Sequence, residues 1–137
     1  MELDLLGFFQ DRMARSYEEQ VWAVALVGSM NGFIISQARN LLIALNPRIL
    51  AWGIYLTALV ALAFVWSRHG IFVYYDRLAK QIMADHSPIA LPGLTGLEAV
   101  ARLIVGWSGV ALYTLLVIGM TYASLRVLRT YDRNKSA

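Results

Sequence analysis

Cysteine is absent from the 137 residues, which excludes disulfides and thiolate metal sites and leaves the redox compartment unread. Histidine is scarce, with His69 and His86 the only two. Ionisable residues are few as well: 15% of the chain is charged and 58% hydrophobic, where a soluble domain runs to roughly a quarter charged. The shortage is concentrated in blocks. Val21–Ala38, Ile49–Ser67 and Leu103–Leu125 hold no Asp, Glu, Lys or Arg over 18, 19 and 23 residues. As helices at about 1.5 Å per residue they measure roughly 27 to 35 Å, and a bilayer core about 30 Å thick takes roughly 17–25 apolar residues to cross. A soluble protein burying such helices needs polar segments to cover them, and the chain offers only short amphipathic ones. The expectation is an all-α integral membrane protein with three transmembrane helices, an amphipathic N-terminal helix and a water-side extension of the second span.

Residues 1–20 read as amphipathic, with Leu6, Phe9, Met13 and Tyr17 on one face and Asp4, Asp11, Arg15 and Glu18 on the other. This segment either lies in the headgroup layer or extends the first span into water, and the unbroken run into Val21 favours the extension. The acidic start Met1-Glu2-Leu3-Asp4 is unlike the basic opening of a signal peptide, so the first span is expected to be retained. That span, 21–40, should end near Arg39-Asn40. Asn46-Pro47 is a turn signal, with the proline placed to open the second span, 48–67. The short connection makes the first two spans antiparallel neighbours.

Beyond Arg68-His69-Gly70 the pattern changes. Ile71, Tyr75, Leu78 and Ile82 repeat at helical spacing as a water-side seam, while Asp76, Arg77, Lys80 and Gln81 take the other side. This predicts an extension of the second helix over 68–85, with Gly70 as a candidate kink and Asp76–Lys80 as a stabilising pair. Residues 86–96 contain Pro88, Pro92, Gly93 and Gly96 and read as a loop. Thr95 or Gly96 should start the last helix, 97–125, with Glu98 near its positive end and Arg102 at its entry. A basic tail, 126–137, is expected to follow and fray.

Chemistry-bearing groups do not converge. Neither histidine lies in a charge-free run, so a haem or metal held between spans lacks ligands. No carboxylate sits inside a span to relay protons or cations. No nucleophile–base–acid set, glycine-rich phosphate loop or zinc spacing occurs. The expectation is a chain that is not an enzyme, with no catalytic residue, metal or cofactor. Its net charge of +3 is scattered at span edges, facing lipid headgroups rather than nucleic acid.

The most informative pattern is a stripe of small and polar residues on the first span. Ala25, Ser29, Gly32, Ser36 and Asn40 recur at spacings of three and four, and Gly28 with Gly32 forms a G-x-x-x-G step. Small residues let helix backbones approach closely in lipid. Asn31 and Gln37 point elsewhere and call for hydrogen bonds between helices. The stripe fits packing within the chain, packing against other chains, or a water-lined pore. On the last span, Gly106, Gly109, Tyr113, Val117 and Ser124 share a side, and the Tyr113 hydroxyl is expected to reach Asn31 or Thr57.

Together these features point to a non-enzymatic small membrane subunit that packs through helix faces into a homo-oligomer or a larger membrane complex, with lipid and other membrane subunits as partners. The alternative is a homo-oligomeric channel or membrane-permeabilising effector, with Ser29, Ser36 and Asn40 facing the axis and Arg39 favouring anions. Three crossings divide the Lys and Arg residues six against six between the two sides, so the positive-inside rule gives no orientation. A cytoplasmic N-terminus is expected because the N-terminal helix and the long charged loop then need no translocation.

Overall fold

The computed structural model describes residues 2–86 and 96–136, with side chains over 4–85, at 104 and over 106–134. Most of the expected 86–96 loop (residues 87–95) and the side chains of Glu98 and Arg102 lie outside the described residues. The chain is all-helical, in the order α1 (Glu2–Ser36), α2 (Ala38–Ala44), α3 (Pro47–His86) and α4 (Gly96–Ser136), with no strand among the described residues. Among those residues, α3 and α4 each contain a stretch long and apolar enough to cross a membrane. The bent pair α1–α2 adds one more if it is a single span.

Local chemistry sets the helix boundaries. Asn46 caps α3: its Oδ1 accepts the Arg48 N–H at 2.9 Å and its carbonyl accepts the Leu50 N–H at 3.1 Å. Pro47 takes the first helical position, where a missing N–H costs nothing. From there α3 runs unbroken through Gly70 to His86. Residues 2–20 form no separate amphipathic helix; they are the first half of α1.

The expected end of the first hydrophobic helix near Arg39-Asn40 is a bend instead. α1 stops at Ser36, and α2 leaves at 78°, without proline or glycine. The Phe33 carbonyl there accepts both the Gln37 N–H at 2.9 Å and the Ser36 hydroxyl at 2.8 Å, the kind of side-chain competition that bends helices. At the other end, α4 does not stop at Leu125 but continues to Ser136. Its Arg and Leu residues are good helix formers, and Leu128 is buried against Ile34, Ala38, Leu42 and Ile54.

α1 runs antiparallel to α3 and parallel to α4. Phe9 meets Tyr75, Glu19 meets Arg68, and Val27 packs with Ala58, Ala61 and Val117. Val65, Val110 and Tyr113 form the core layer nearest Trp66 and Trp107. The polarity is inverted relative to a water-soluble bundle. Trp22 and Trp52 are each 75% exposed, Leu26 72% and Leu115 67%, while Asn31, Ser124, Ala58 and Ala61 are buried. A surface of this kind suits lipid.

The three apolar runs are not level. Asn31 stands opposite Ser124, which places the middle of Leu103–Leu125 roughly two turns, or about 12 Å, from the middle of Val21–Ala38, towards the α3–α4 connection. The length over which all three helices are charge-free is therefore shorter than any single run. Glu19 and Arg68 fall at one margin and Arg126 at the other.

Candidate functional site

The α1 stripe divides between inside and outside. Gly28 faces α4: a Cβ built on it would lie 3.2 Å from the Met120 sulfur. Ala25, Ser29, Gly32 and Ser36 are exposed on α1, while Asn40, also exposed, lies past the 78° bend on α2, so the expected stripe does not run straight on to it. A Cβ on Gly32 would meet nothing within 4 Å. The polar atoms of this outer face are satisfied locally. Ser29 donates to the Ala25 carbonyl at 2.9 Å, Ser36 to Phe33, and the Asn40 amide to Gln37 Oε1 at 2.9 Å. Gln37 therefore bonds within its own helix turn, not across helices.

Packing inside the chain uses another face of α1, formed by Val27, Asn31 and Ile34 and continued past the bend by Ala38 of α2. Asn31 is its polar centre. Its Oδ1 accepts the Ser124 hydroxyl of α4 at 2.5 Å, and its Nδ2 donates to the Val27 carbonyl at 2.8 Å. In a low-dielectric interior this is the arrangement buried amides require. A second tie joins α3 and α4, where the Trp66 indole N–H donates to Thr114 Oγ1 at 3.2 Å.

The seam residues Ile71, Tyr75, Leu78 and Ile82 are half-buried. Tyr75 lies 5.5 Å from Phe9 and 6.3 Å from Phe8, centroid to centroid, so this part of the seam packs on the first turns of α1. Lys80 pairs with Asp76 as the spacing predicts. Tyr113 finds neither Asn31 nor Thr57. Its ring lies 6.1 Å from Tyr17, because the parallel register of α1 and α4 sets Tyr113 above both of the expected partners.

Sequence reading missed two groupings near the α1–α3 margin. Arg68 Nε lies 2.9 Å from Glu19 Oε2, and the Arg68 guanidinium sits 4.9 Å above the Phe64 ring. On another side of α3, His69 is buried among Trp107, Trp66 and Phe72, with ring centroids at 4.8, 6.4 and 6.4 Å. His69 lies beyond the charge-free span; its Nε2 has no hydrogen-bond partner, and burial lowers its pKa from 6.5. The signal available was that Glu19 and Arg68 each flank a charge-free run, but pairing them requires the helix register. Among the described residues no group of His, Asp or Glu is arranged to hold a metal ion. Comparison of this chain with protein-family models, with curated proteins and with solved structures finds no match.

Proposed function

We propose that this chain is a non-enzymatic membrane subunit with three crossings, which assembles through the outer face of α1 into a homo-oligomer or a larger membrane complex. The packing supports three crossings: α1 lies along both α3 and α4, and a bilayer that encloses those two would also enclose α1. The N-terminus and the α3–α4 connection then share one side, which we place in the cytoplasm.

One observation carries the assembly reading. The internal contacts of α1 use the Val27–Asn31–Ile34 face, leaving Ala25, Ser29, Gly32 and Ser36 outward with their polar atoms already bonded. A smooth outer face without unmet polar demands suits close approach of another helix and gives a water-filled pore little to solvate. Gly32→Ile tests this. Because nothing lies within 4 Å of the added Cβ, the monomer should insert and fold as before, while the mass of the detergent-solubilised assembly falls. An unchanged mass would reject the outer face as a contact, and ion leak from liposomes holding the purified protein would favour the channel instead.

A further inference from the structure

Two cavities lie one above the other along the groove between α1 and α3. The upper, of about 410 Å³, is lined by Arg12, Arg15, Ser16, Ser67, Arg68 and Tyr74 among others, and the lower, of about 560 Å³, by Trp22, Leu26, Ser29, Val60 and Phe64 among others. Glu19 lines both. The residues climb each helix in successive turns: 12, 15, 19, 22, 26 and 29 on α1, and 57, 60, 64, 67, 71 and 74 on α3. The chemistry changes abruptly at Glu19 and Ser67. Below this level the walls carry no other charge; above it stand three guanidinium groups.

The carboxylate does not cancel the charge of the upper cavity. Arg12, Arg15 and Arg68 against Glu19 leave a formal +2. Glu19 Oε2 lies 2.9 Å from Arg68 Nε, and one carboxylate cannot engage all five N–H donors of a guanidinium; the Phe64 ring centre lies 4.9 Å from the guanidinium carbon. Arg12 is similarly stacked, its guanidinium carbon 5.0 Å from the Phe8 ring centre. Planar, oriented guanidinium groups favour phosphate oxygens. The level is also right: Ser67 ends the charge-free run of α3, and Arg68 begins the water side, where glycerophosphate groups lie.

We propose that this groove binds an anionic phospholipid, with the phosphate held among Arg12, Arg15 and Arg68 and an acyl chain lying along Trp22, Leu26, Val60 and Phe64. A zwitterionic lipid brings its own cation against the surplus positive charge, so it binds less well. A second copy of the chain, docked through the same face, sets its arginines against these. The inference requires only that the chain sit in a bilayer. The lower cavity shares Ala25 and Ser29 with the small-residue stripe, so the lipid borders the assembly face; Arg12, Arg15, Arg68 and Val60 lie outside the stripe and test the groove by themselves.

The test is native mass spectrometry of the full chain in mild detergent, counting lipids retained with phosphatidylglycerol or phosphatidylcholine of identical acyl chains. We expect one phosphatidylglycerol per chain, retained roughly tenfold better than phosphatidylcholine, which offers the same phosphate but sets its choline cation against the site's surplus positive charge. Arg12→Gln/Arg15→Gln, at two exposed positions, should abolish that preference, and Arg126→Gln/Arg129→Gln, equal in charge at the opposite margin, should keep it. Val60→Trp fills the lower groove and should weaken lipid retention without changing the mass of the protein assembly. Equal retention of the two lipids, or a preference that survives loss of Arg12 and Arg15, overturns the proposal. Displacement of the lipid by millimolar inorganic phosphate, with Val60→Trp without effect, assigns the cavity to free anions and overturns it too. A fall in assembly mass on Val60→Trp makes the groove a protein interface, with the same consequence.

Discussion

The hydrogen bond between Asn31 and Ser124 is a buried side-chain tie between α1 and α4. It therefore provides a direct test of the bundle's register. Both side chains are buried, and the contact is short at 2.5 Å. Ser124→Ala removes the donor and strands Asn31 Oδ1 in an apolar interior, which should cost about 1 kcal/mol, within the roughly 0.6–2 kcal/mol found for such bonds in membranes. Asn31→Leu keeps most of the volume and leaves the Ser124 hydroxyl, which can turn to the carbonyl one turn back on its own helix. Once Asn31 is Leu, Ser124→Ala strands nothing, so its cost should nearly vanish. The coupling energy of the double-mutant cycle is then about 1 kcal/mol, measured by equilibrium unfolding in mixed micelles as the fraction of denaturing detergent rises. Strict additivity, within about 0.3 kcal/mol, would refute the contact and with it the parallel register of α1 and α4.

Two further outcomes follow from packing and protonation. Gly28→Leu should destabilise the fold by about 1–3 kcal/mol through overpacking, whereas Gly28→Ala should cost much less, because the flexible Met120 thioether can give way; thermal unfolding of both variants in one detergent checks the contrast. His69 is neutral in its aromatic pocket and has a folded pKa below 6.5, so the unfolded chain takes up a proton first as the pH falls. Its contribution to stability should be complete above about pH 7 and decline below about 6.5. His69→Phe should flatten that slope between pH 7 and 5.5, and an unchanged slope would assign the dependence to other groups.

Much of the helix framework was legible because its markers are local. Asn46-Pro47 opens α3 through a cap and a pre-set backbone angle, the Ile71–Ile82 periodicity continues that helix to His86, and Gly96 begins α4. The inward face of α1 was harder to read, for a physical reason. In lipid the outside of a helix is as apolar as the inside, so hydrophobic periodicity loses its sign. The small-residue stripe was visible, but the residues of α1 that point inward beside Asn31 are Val27 and Ile34, no different in kind from apolar residues facing out. Asn31 could be read as needing a partner, while the identity of Ser124 depended on a parallel register 93 residues apart. The bend at Gln37 carries no proline or glycine to announce it. The boundary cluster of Arg12, Arg15, Glu19 and Arg68 arises only when α1 and α3 are laid antiparallel.

The central claim, that α1, α3 and α4 each cross the bilayer, is tested most directly by side-specific cysteine labelling. The chain has no cysteine of its own, so each substituted thiol reports alone. Asp4→Cys, Arg48→Cys, Asp85→Cys and Asn134→Cys lie at exposed positions near helix ends. In sealed vesicles, a membrane-impermeant maleimide should label Asp4→Cys and Asp85→Cys from one side, and Arg48→Cys and Asn134→Cys only from the other. Labelling of Asp4→Cys and Arg48→Cys from the same side would mean that α1 does not cross, and would contradict the three-span account.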